Sequence, residues 1–275
     1  MARKPRHTDQ TSMRKGRLTD NMFGPDIEGP ADEIVNDAWD AETPAEMVRL
    51  ARKALSIDLD AIDAYNILGI HAPTLAERIA LFREAELIGE RLFAPLLPDE
   101  DVAWWGFVGT RPWMRARQNL GLALREAGDL DGAMTAFKSL LALNPNDNQG
   151  VRYLAMAIAA DQGQYDECKL LLARYADEAS IEFPSARLLI EMTKARPGKS
   201  AAKILKQVAD SNEHFLPALK RAATTGQWPV ESRDAFVTFG SKSQANDCLA
   251  QFKKAWTRTP RILENFLALP EISKL

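Results

Sequence analysis

The sequence predicts an all-α protein in which antiparallel pairs of helices stack into a solenoid. Three observations support this prediction. Apolar residues recur at helical spacing along most of the chain. Small residues such as Gly121 and Ala133 stand where two paired helices would cross. The same arrangement returns along the chain, so each pair would bury its apolar side against the next pair.

Composition is that of a folded, soluble protein. The chain has 275 residues, of which 46% are hydrophobic and 27% charged. A formal net charge of −3 argues against a chain built mainly to wrap nucleic acid. Its two cysteines, Cys168 and Cys248, stand in apolar helical contexts, which is typical of a reducing compartment. Because we find no apolar run long enough to cross a bilayer and no secretory signal, we predict a cytoplasmic location.

We predict that residues 1–42 form a flexible charged tail and that residues 43–275 form the solenoid. Basic side chains dominate the first part of the tail, whereas the part from Leu18 to Glu42 carries acidic side chains and no basic one. Blocks of like charge are more often solvated than packed.

The first predicted helix begins at Thr43 and Pro44, a suitable N-cap followed by a suitable first helical residue. Gly69 then belongs to the first helix of an early pair, and a second helix follows over residues 74–93. This early pair is degenerate, because Arg78 occupies the position of a small residue.

The most regular pair follows in the stretch from Trp113 to Tyr153. A tetratricopeptide repeat (TPR) has Leu-Gly and a large apolar residue on its first helix, then Ala and an aromatic residue on its second. Here these positions are filled by Leu120, Gly121, Leu124, Ala133 and Phe137. The stretch therefore resembles one complete TPR and the start of another.

Further pairs are predicted toward the C-terminus. Gly163 to Cys168 repeats the spacing of Gly128 to Ala133, which gives Cys168 the role of a small packing residue. The remaining predicted helices cover residues 185–192, 201–208, 215–222, 243–256 and 261–269, and the last ones would cap the array.

An aromatic segment separates the early pair from the regular one. It contains Trp104, Trp105 and Phe107, followed by Arg111 and Arg115. One interpretation is that the aromatic side chains fill the gap between the two pairs. The other is that they form the lip of a binding groove, since aromatic residues and arginine dominate binding hot spots.

Several strings are similar to a bacterial group of TPR-like proteins, and through them to the helical-repeat region of the suppression-of-tumorigenicity family. They are WGFVGTRPWMRAR, LNPNDNQGVRYL, NEHFLPAL and AWTRTPRILENFLAL, within the span from Asp58 to Leu269. The resemblance implies an all-helical repeat fold and partner binding, and it brings no catalytic residue. Some bacterial relatives carry a Cys-rich zinc module, which has no counterpart here.

The sequence predicts no catalytic residue, no cofactor and no metal ligand. His7, His71 and His214 lie far apart, and the chain has no Cys-x-x-Cys pair. A Gly-rich loop that could hold phosphate is also missing.

We instead predict a non-catalytic protein-interaction module that binds a protein or peptide partner on the concave face of the array. The predicted partner-binding residues are Trp104, Trp105, Arg111, Arg115, Gln118, Arg125, Gln149 and Arg152. Guanidinium groups favour an acidic partner, because they bind carboxylates bidentately.

Alternatives stay open at this point. The arginines could form ion pairs within the chain, including with the acidic stretch from Asp20 to Glu42, which would then occupy the groove. An enzyme could have its site in an aromatic-lined pocket around Trp104, Trp105 and Arg111. RNA could bind to the basic tail together with Arg111, Arg115 and Arg117.

Overall fold

The computed structural model describes residues 30–97, 104–232 and 238–275. Over these ranges the regular structure is helical throughout, without a strand, which confirms the all-α prediction. The α-helices of these ranges are α1 (Pro30–Trp39), α2 (Pro44–Leu55), α3 (Ile62–Ile70), α4 (Leu75–Phe93), α5 (Arg111–Glu126), α6 (Leu130–Leu143), α7 (Val151–Gln162), α8 (Tyr165–Arg174), α9 (Glu182–Met192), α10 (Ala201–Ser211), α11 (Phe215–Thr225), α12 (Lys242–Gln251), α13 (Lys253–Trp256), α14 (Pro260–Leu267) and α15 (Pro270–Ser273).

The chain forms two compact units, one ending at Val151 and the other beginning at Arg152. In the first unit, α1 packs on α2, α3 on α4 and α5 on α6. Helices α3 and α4 also both contact α5, so the second and third pairs share a core.

Glycines allow the helices of two pairs in the first unit to approach closely. A Cβ atom on Gly121 would lie 2.5 Å from the ring of Phe137, and one on Gly69 would lie 2.4 Å from the ring of Phe82. Both rings are buried. The early pair therefore has the same glycine-to-phenylalanine crossing as the regular pair, although its spacing in the sequence is shorter.

An aromatic cluster fills the space between α4 and α5. The ring centroid of Trp113 lies 5.4 Å from that of Phe93 and 5.5 Å from that of Trp104. Trp104 is only 4% exposed. For this residue the gap-filling interpretation is confirmed, and Trp104 offers no side-chain surface to a partner.

The predicted tail needs a correction at its C-terminal end. Residues 1–29 lie outside the described ranges, but Pro30–Trp39 forms α1. Ala31, Val35 and Ala38 repeat at helical spacing and are buried against α2. Their apolar stripe stabilises the helix, while Glu33 and Asp37 are exposed and Asp32 is partly exposed. The number of charged residues in a segment does not reveal such a stripe, because the stripe depends on the spacing of the apolar residues.

In the second unit, α7 and α8 are joined by a turn at Gly163, whose φ is 69°. Helix α9 packs on α10, and α11 packs on α12. Helix α14 contacts both α9 and α11. The predicted helix over residues 243–256 is divided into α12 and α13 at Phe252.

Candidate functional site

The accessible side of α5 is a single stripe. Its residues follow each other at intervals of three or four, so they share one face of the helix, whereas Trp113, Met114 and Leu120 on the other side are buried. The stripe consists of Arg111, Arg115, Gln118, Leu122 and Arg125, each at least partly exposed. The four α5 residues among the predicted partner-binding residues, Arg111, Arg115, Gln118 and Arg125, therefore lie on the accessible side of the helix.

Helix α3 is fixed beside this stripe by a buried polar network. The side chain of Asn66 donates hydrogen bonds to Oδ1 of Asp63 (2.8 Å) and to the carbonyl oxygen of Pro112 (2.9 Å). It accepts one from Asn119 (3.3 Å). Because Asn66 is fully buried, it positions α3 against α5 and is not itself available to a partner.

We call the surface formed by Asp63 and Ile70 of α3 with Arg115, Gln118, Leu122 and Arg125 of α5 the α3–α5 face. The network joins the middle of the two helices, and one turn further along each helix Ile70 and Leu122 follow. These apolar side chains are 46% and 38% exposed.

Arg115 is paired within the chain. Its Nε donates to Oδ1 of Asp63 (3.1 Å) and its Nη2 to Oδ2 (2.7 Å), a bidentate ion pair. Its guanidinium carbon also lies 5.5 Å from the ring centroid of Trp39 in α1. Trp39 belongs to the predicted tail, so part of this segment does contact Arg115. The contact is made by an aromatic ring and not by one of the acidic side chains of the segment.

Gln118 and Gln149 bind each other. Nε2 of Gln149 donates to Oε1 of Gln118 (2.8 Å) and to the carbonyl oxygen of Met114 (3.2 Å). The two predicted site residues thus hold the loop after α6 against α5.

Arg111 and Arg125 have no ion pair among the residues that the structure describes. Nε of Arg111 donates to the carbonyl oxygen of Trp105 (3.1 Å), and its guanidinium carbon lies 5.0 Å from that ring centroid. Trp105 is half-buried. Of the two predicted tryptophans, only Trp105 has accessible surface.

A cavity of about 470 Å³ opens next to the Arg115 end of the α3–α5 face. Arg111 and Arg115, two of the predicted partner-binding residues, line it together with Asp63. Sequence reasoning missed its other polar lining residues, which come from α1 and from the loop between α2 and α3: Asp32, Asn36, Asp58 and Asp60. Their only sequence signal is the Asp58-x-Asp60 pair directly before α3.

In the second unit, Arg152 belongs to a separate polar cluster. It donates to Oε2 of Glu178 (2.8 Å) and to the hydroxyl of Tyr153 (2.6 Å), which itself donates to Glu178 (2.8 Å). Burial raises the pKa of the Glu178 carboxyl, but hydrogen bonds from the Ser180 amide, Tyr153 and Arg152 outweigh it, so the net pKa is lowered. Burial, followed by the hydrogen bond to Glu178, raises the pKa of Tyr153. Arg152 is thus compensated within its own unit.

Arg117 is not available to RNA. Its side chain is 7% exposed, pairs with Glu86 (3.0 Å) and Glu90 (2.8 Å), and lies 4.6 Å from the ring centroid of Trp113. The basic part of the tail, the other component of that alternative, lies outside the described residues.

The cysteines have the properties of packing residues. Burial raises the pKa of Cys168 to about 12 and also raises that of Cys248. Both thiols therefore stay protonated at neutral pH, which makes them poor nucleophiles.

In the ranges 30–97, 104–232 and 238–275, no group of three or more His, Cys, Asp or Glu side chains is arranged to hold a metal ion. Among the helices described here, none combines the length and the apolar character that a membrane-crossing segment requires.

Comparison with known families agrees with the helix pairs. A model of the tetratricopeptide repeat family matches residues 124–180, from the end of α5 through α8. This part of the chain is TPR-like. A search of curated proteins gives no match. A TPR suggests a protein-interaction module, and helical repeat folds of this kind typically serve as non-enzymatic scaffolds.

Proposed function

We propose that this TPR-like protein is a non-catalytic interaction module whose partner binds on the α3–α5 face. The observation that carries the proposal is the exposure of Ile70 and Leu122, 46% and 38%, on two helices that otherwise bury their apolar side chains. Adjacent exposed apolar side chains with polar neighbours are typical of a binding surface. The first helix of each repeat is also where TPR-type arrays dock peptides.

The charge on this face favours an apolar segment followed by a carboxylate. Arg115 is already compensated by Asp63, whereas Arg125, one turn beyond Leu122, has no ion pair in the described part of the chain. A partner that places an apolar side chain against Ile70 and Leu122 can therefore set a carboxylate against Arg125. The proposal of an acidic partner thus rests on Arg125, and not on Arg115 or Arg152, which are paired within the chain.

We also propose that the protein is cytoplasmic and that it is related to the suppression-of-tumorigenicity family. The location is supported by the sequence composition, and the relationship by the strings that include Trp113 and the segment after Asn144.

The cavity gives the enzyme alternative no support in its predicted form. That alternative placed a site beside Trp104 and Trp105, yet the aromatic lining residues of the cavity are Trp39 and Phe93.

The test is affinity capture from a cell extract with Leu122→Arg as the disabling variant. Leu87→Arg is the matched control, because Leu87 is 52% exposed on α4, outside the α3–α5 face. We expect Leu122→Arg to lose captured proteins that the wild type and Leu87→Arg retain, and Arg125→Glu to lose the same proteins. Equal capture by all variants would contradict the proposed face.

A further inference from the structure

The cavity of the first unit combines an apolar wall with charged side chains. Its apolar lining comes from α1, α3, α4, α5 and the turn before α5. The volume of about 470 Å³ lies within the range of roughly 300–1,000 Å³ typical of small-ligand sites. The main apolar contributors are Val35, Trp39, Ile62, Phe93, Val108 and Pro112.

Three of the six charged lining residues, Asp60, Asp63 and Arg115, form ion pairs within the protein. Asp63 forms the bidentate pair with Arg115, at 2.7 Å and 3.1 Å. Asp60 forms an ion pair with Arg91. Asp32 also has an interaction partner. Two lining residues of opposite charge, Asp58 and Arg111, remain without an ion pair among residues 30–97, 104–232 and 238–275.

Asp58 and Arg111 are each held in place by a neutral group, which leaves their charges available. Oδ1 of Asp58 accepts a hydrogen bond from the amide of Asp60 (2.8 Å), and the carboxylate is exposed. Arg111 uses Nε for the Trp105 carbonyl oxygen (3.1 Å) and stacks on that ring. Its two terminal amino groups are therefore free to bind a carboxylate bidentately or singly.

We propose that this cavity binds a small zwitterion with an apolar body, namely a dipeptide or an amino acid with a large apolar side chain. The ligand ammonium group would pair with Asp58, the ligand carboxylate with Arg111, and the apolar side chains would contact Trp39, Ile62 and Phe93. Each charged group thereby gains a partner of opposite sign, and charge-assisted hydrogen bonds are the strong ones. This small-molecule site goes beyond the proposed partner binding and does not depend on it.

Calorimetric titration of the full chain with the dipeptide leucylphenylalanine tests the proposal. Two analogues isolate the charges: a deaminated form, in which hydrogen replaces the ammonium group, and a C-terminal amide. We expect the zwitterion to bind about tenfold or more tightly than either analogue, because each lacks one charge-assisted contact. No binding at millimolar concentration, or equal affinity for all three compounds, would overturn the proposal.

Variants assign the two contacts. Asp58→Asn keeps an oxygen that can accept a hydrogen bond from the Asp60 amide. This variant should bind the zwitterion and the deaminated form equally well, and should still prefer the zwitterion to the amide. Arg111→Gln should bind the zwitterion and the amide equally well, and should still prefer the zwitterion to the deaminated form. Arg111→Lys should keep the preference for the zwitterion over the amide. Asp37→Asn and Arg83→Gln, at exposed positions away from the cavity lining, should behave as the wild type. Unchanged discrimination in Asp58→Asn or Arg111→Gln would overturn the assignment.

The test of dipeptide binding can be distinguished from the test of partner binding on the α3–α5 face. Leu122 does not line the cavity, so Leu122→Arg should lose protein capture and still bind the dipeptide. Loss of dipeptide binding in this variant would count against a separate site.

Discussion

Close contact between a glycine and an aromatic ring sets the distance between paired helices. Gly121 has no side chain where a Cβ atom would lie 2.5 Å from the Phe137 ring, a separation that real Cβ atoms do not adopt. Phe137 is fully buried and cannot move away without opening the core.

We therefore predict that Gly121→Ala destabilises the first unit by about 1–3 kcal/mol, because the added methyl group overpacks the crossing. Urea unfolding measures this difference. The double variant Gly121→Ala/Phe137→Leu should recover part of the loss, since the smaller side chain vacates the contact. A neutral effect of Gly121→Ala would contradict the tight crossing.

Arg115 is a residue whose charge serves the fold. Its bidentate pair with Asp63 joins α5 to α3, and 40% of the Arg115 side chain is exposed, so solvent screens part of the interaction.

Arg115→Glu should lower the free energy of unfolding by about 2 kcal/mol, because two carboxylates would replace a charge-assisted pair. Arg83→Glu makes the same charge reversal at an exposed position of α4 and should cost much less. Thermal melting of both variants checks the difference. Equal melting temperatures would show that the pair contributes nothing to stability.

At the scale of elements, local hydrogen bonds from backbone amides to side chains fix the helix ends, and the residues that form them can be predicted from the sequence. Thr43 and Thr74 accept hydrogen bonds from the amides of Glu46 (3.3 Å) and Glu77 (3.2 Å), and both are N-caps of helices that were predicted to begin there. After α6, the side chain of Asp147 accepts a hydrogen bond from the amide of Val151 (2.9 Å), the first residue of α7.

Helix α1 covers an apolar side of α2. Ala31, Val35 and Ala38 are buried with Leu50 and Ala54 in one cluster.

A chain that starts at Pro30 retains α1 and serves as the reference for its removal. One that starts at Thr43 should lose about 3 kcal/mol or more, because it exposes the apolar groups that α1 covers. Chemical unfolding of the three chains measures this effect. The original expectation of a solvated tail up to residue 42 would require both truncations to be neutral.

For the molecule as a whole, we expect three carboxyl groups of the second unit, those of Glu178, Glu182 and Glu191, to contribute to the dependence of stability on pH. Burial raises the pKa of Glu182, whose carboxylate accepts a hydrogen bond from Ser180. For Glu191, as for Glu178, burial raises the pKa, but hydrogen bonds outweigh it and the net pKa is lowered. Glu182 and the pair Glu178 and Glu191 therefore change the stability of the folded state in opposite directions as the pH rises.

A raised pKa in the folded state means that the stability contributed by Glu182 is present below the unfolded pKa of about 4.3 and is lost as pH rises through the folded pKa. The contributions of Glu178 and Glu191 are present above that unfolded pKa and are lost as pH falls through their folded pKa values.

Glu182→Gln should accordingly be more stable than the wild type at pH 7, with the difference vanishing below about pH 4. Urea unfolding between pH 3 and pH 8 measures it. Glu264→Gln, at an exposed position of α14, should follow the wild type throughout. A Glu182→Gln variant that is less stable at pH 7 would contradict the cost assigned to burying this carboxylate.

The sequence by itself determined the helix pairs, because their signals are local. Caps, apolar periodicity and small residues such as Gly121 act within one or two helices. These signals also predicted correctly which side of α5 is accessible, from Arg115 to Arg125.

Only the tertiary structure decided which of these side chains keep a free charge. Arg115 finds Asp63 across 52 residues of sequence, and Arg152 finds Glu178 across 26, pairings that no local pattern encodes. The cavity is likewise assembled from α1, the loop before α3, the end of α4 and the start of α5. Folding brings these distant side chains together, so compensated and available charges become distinguishable only once the helices are packed.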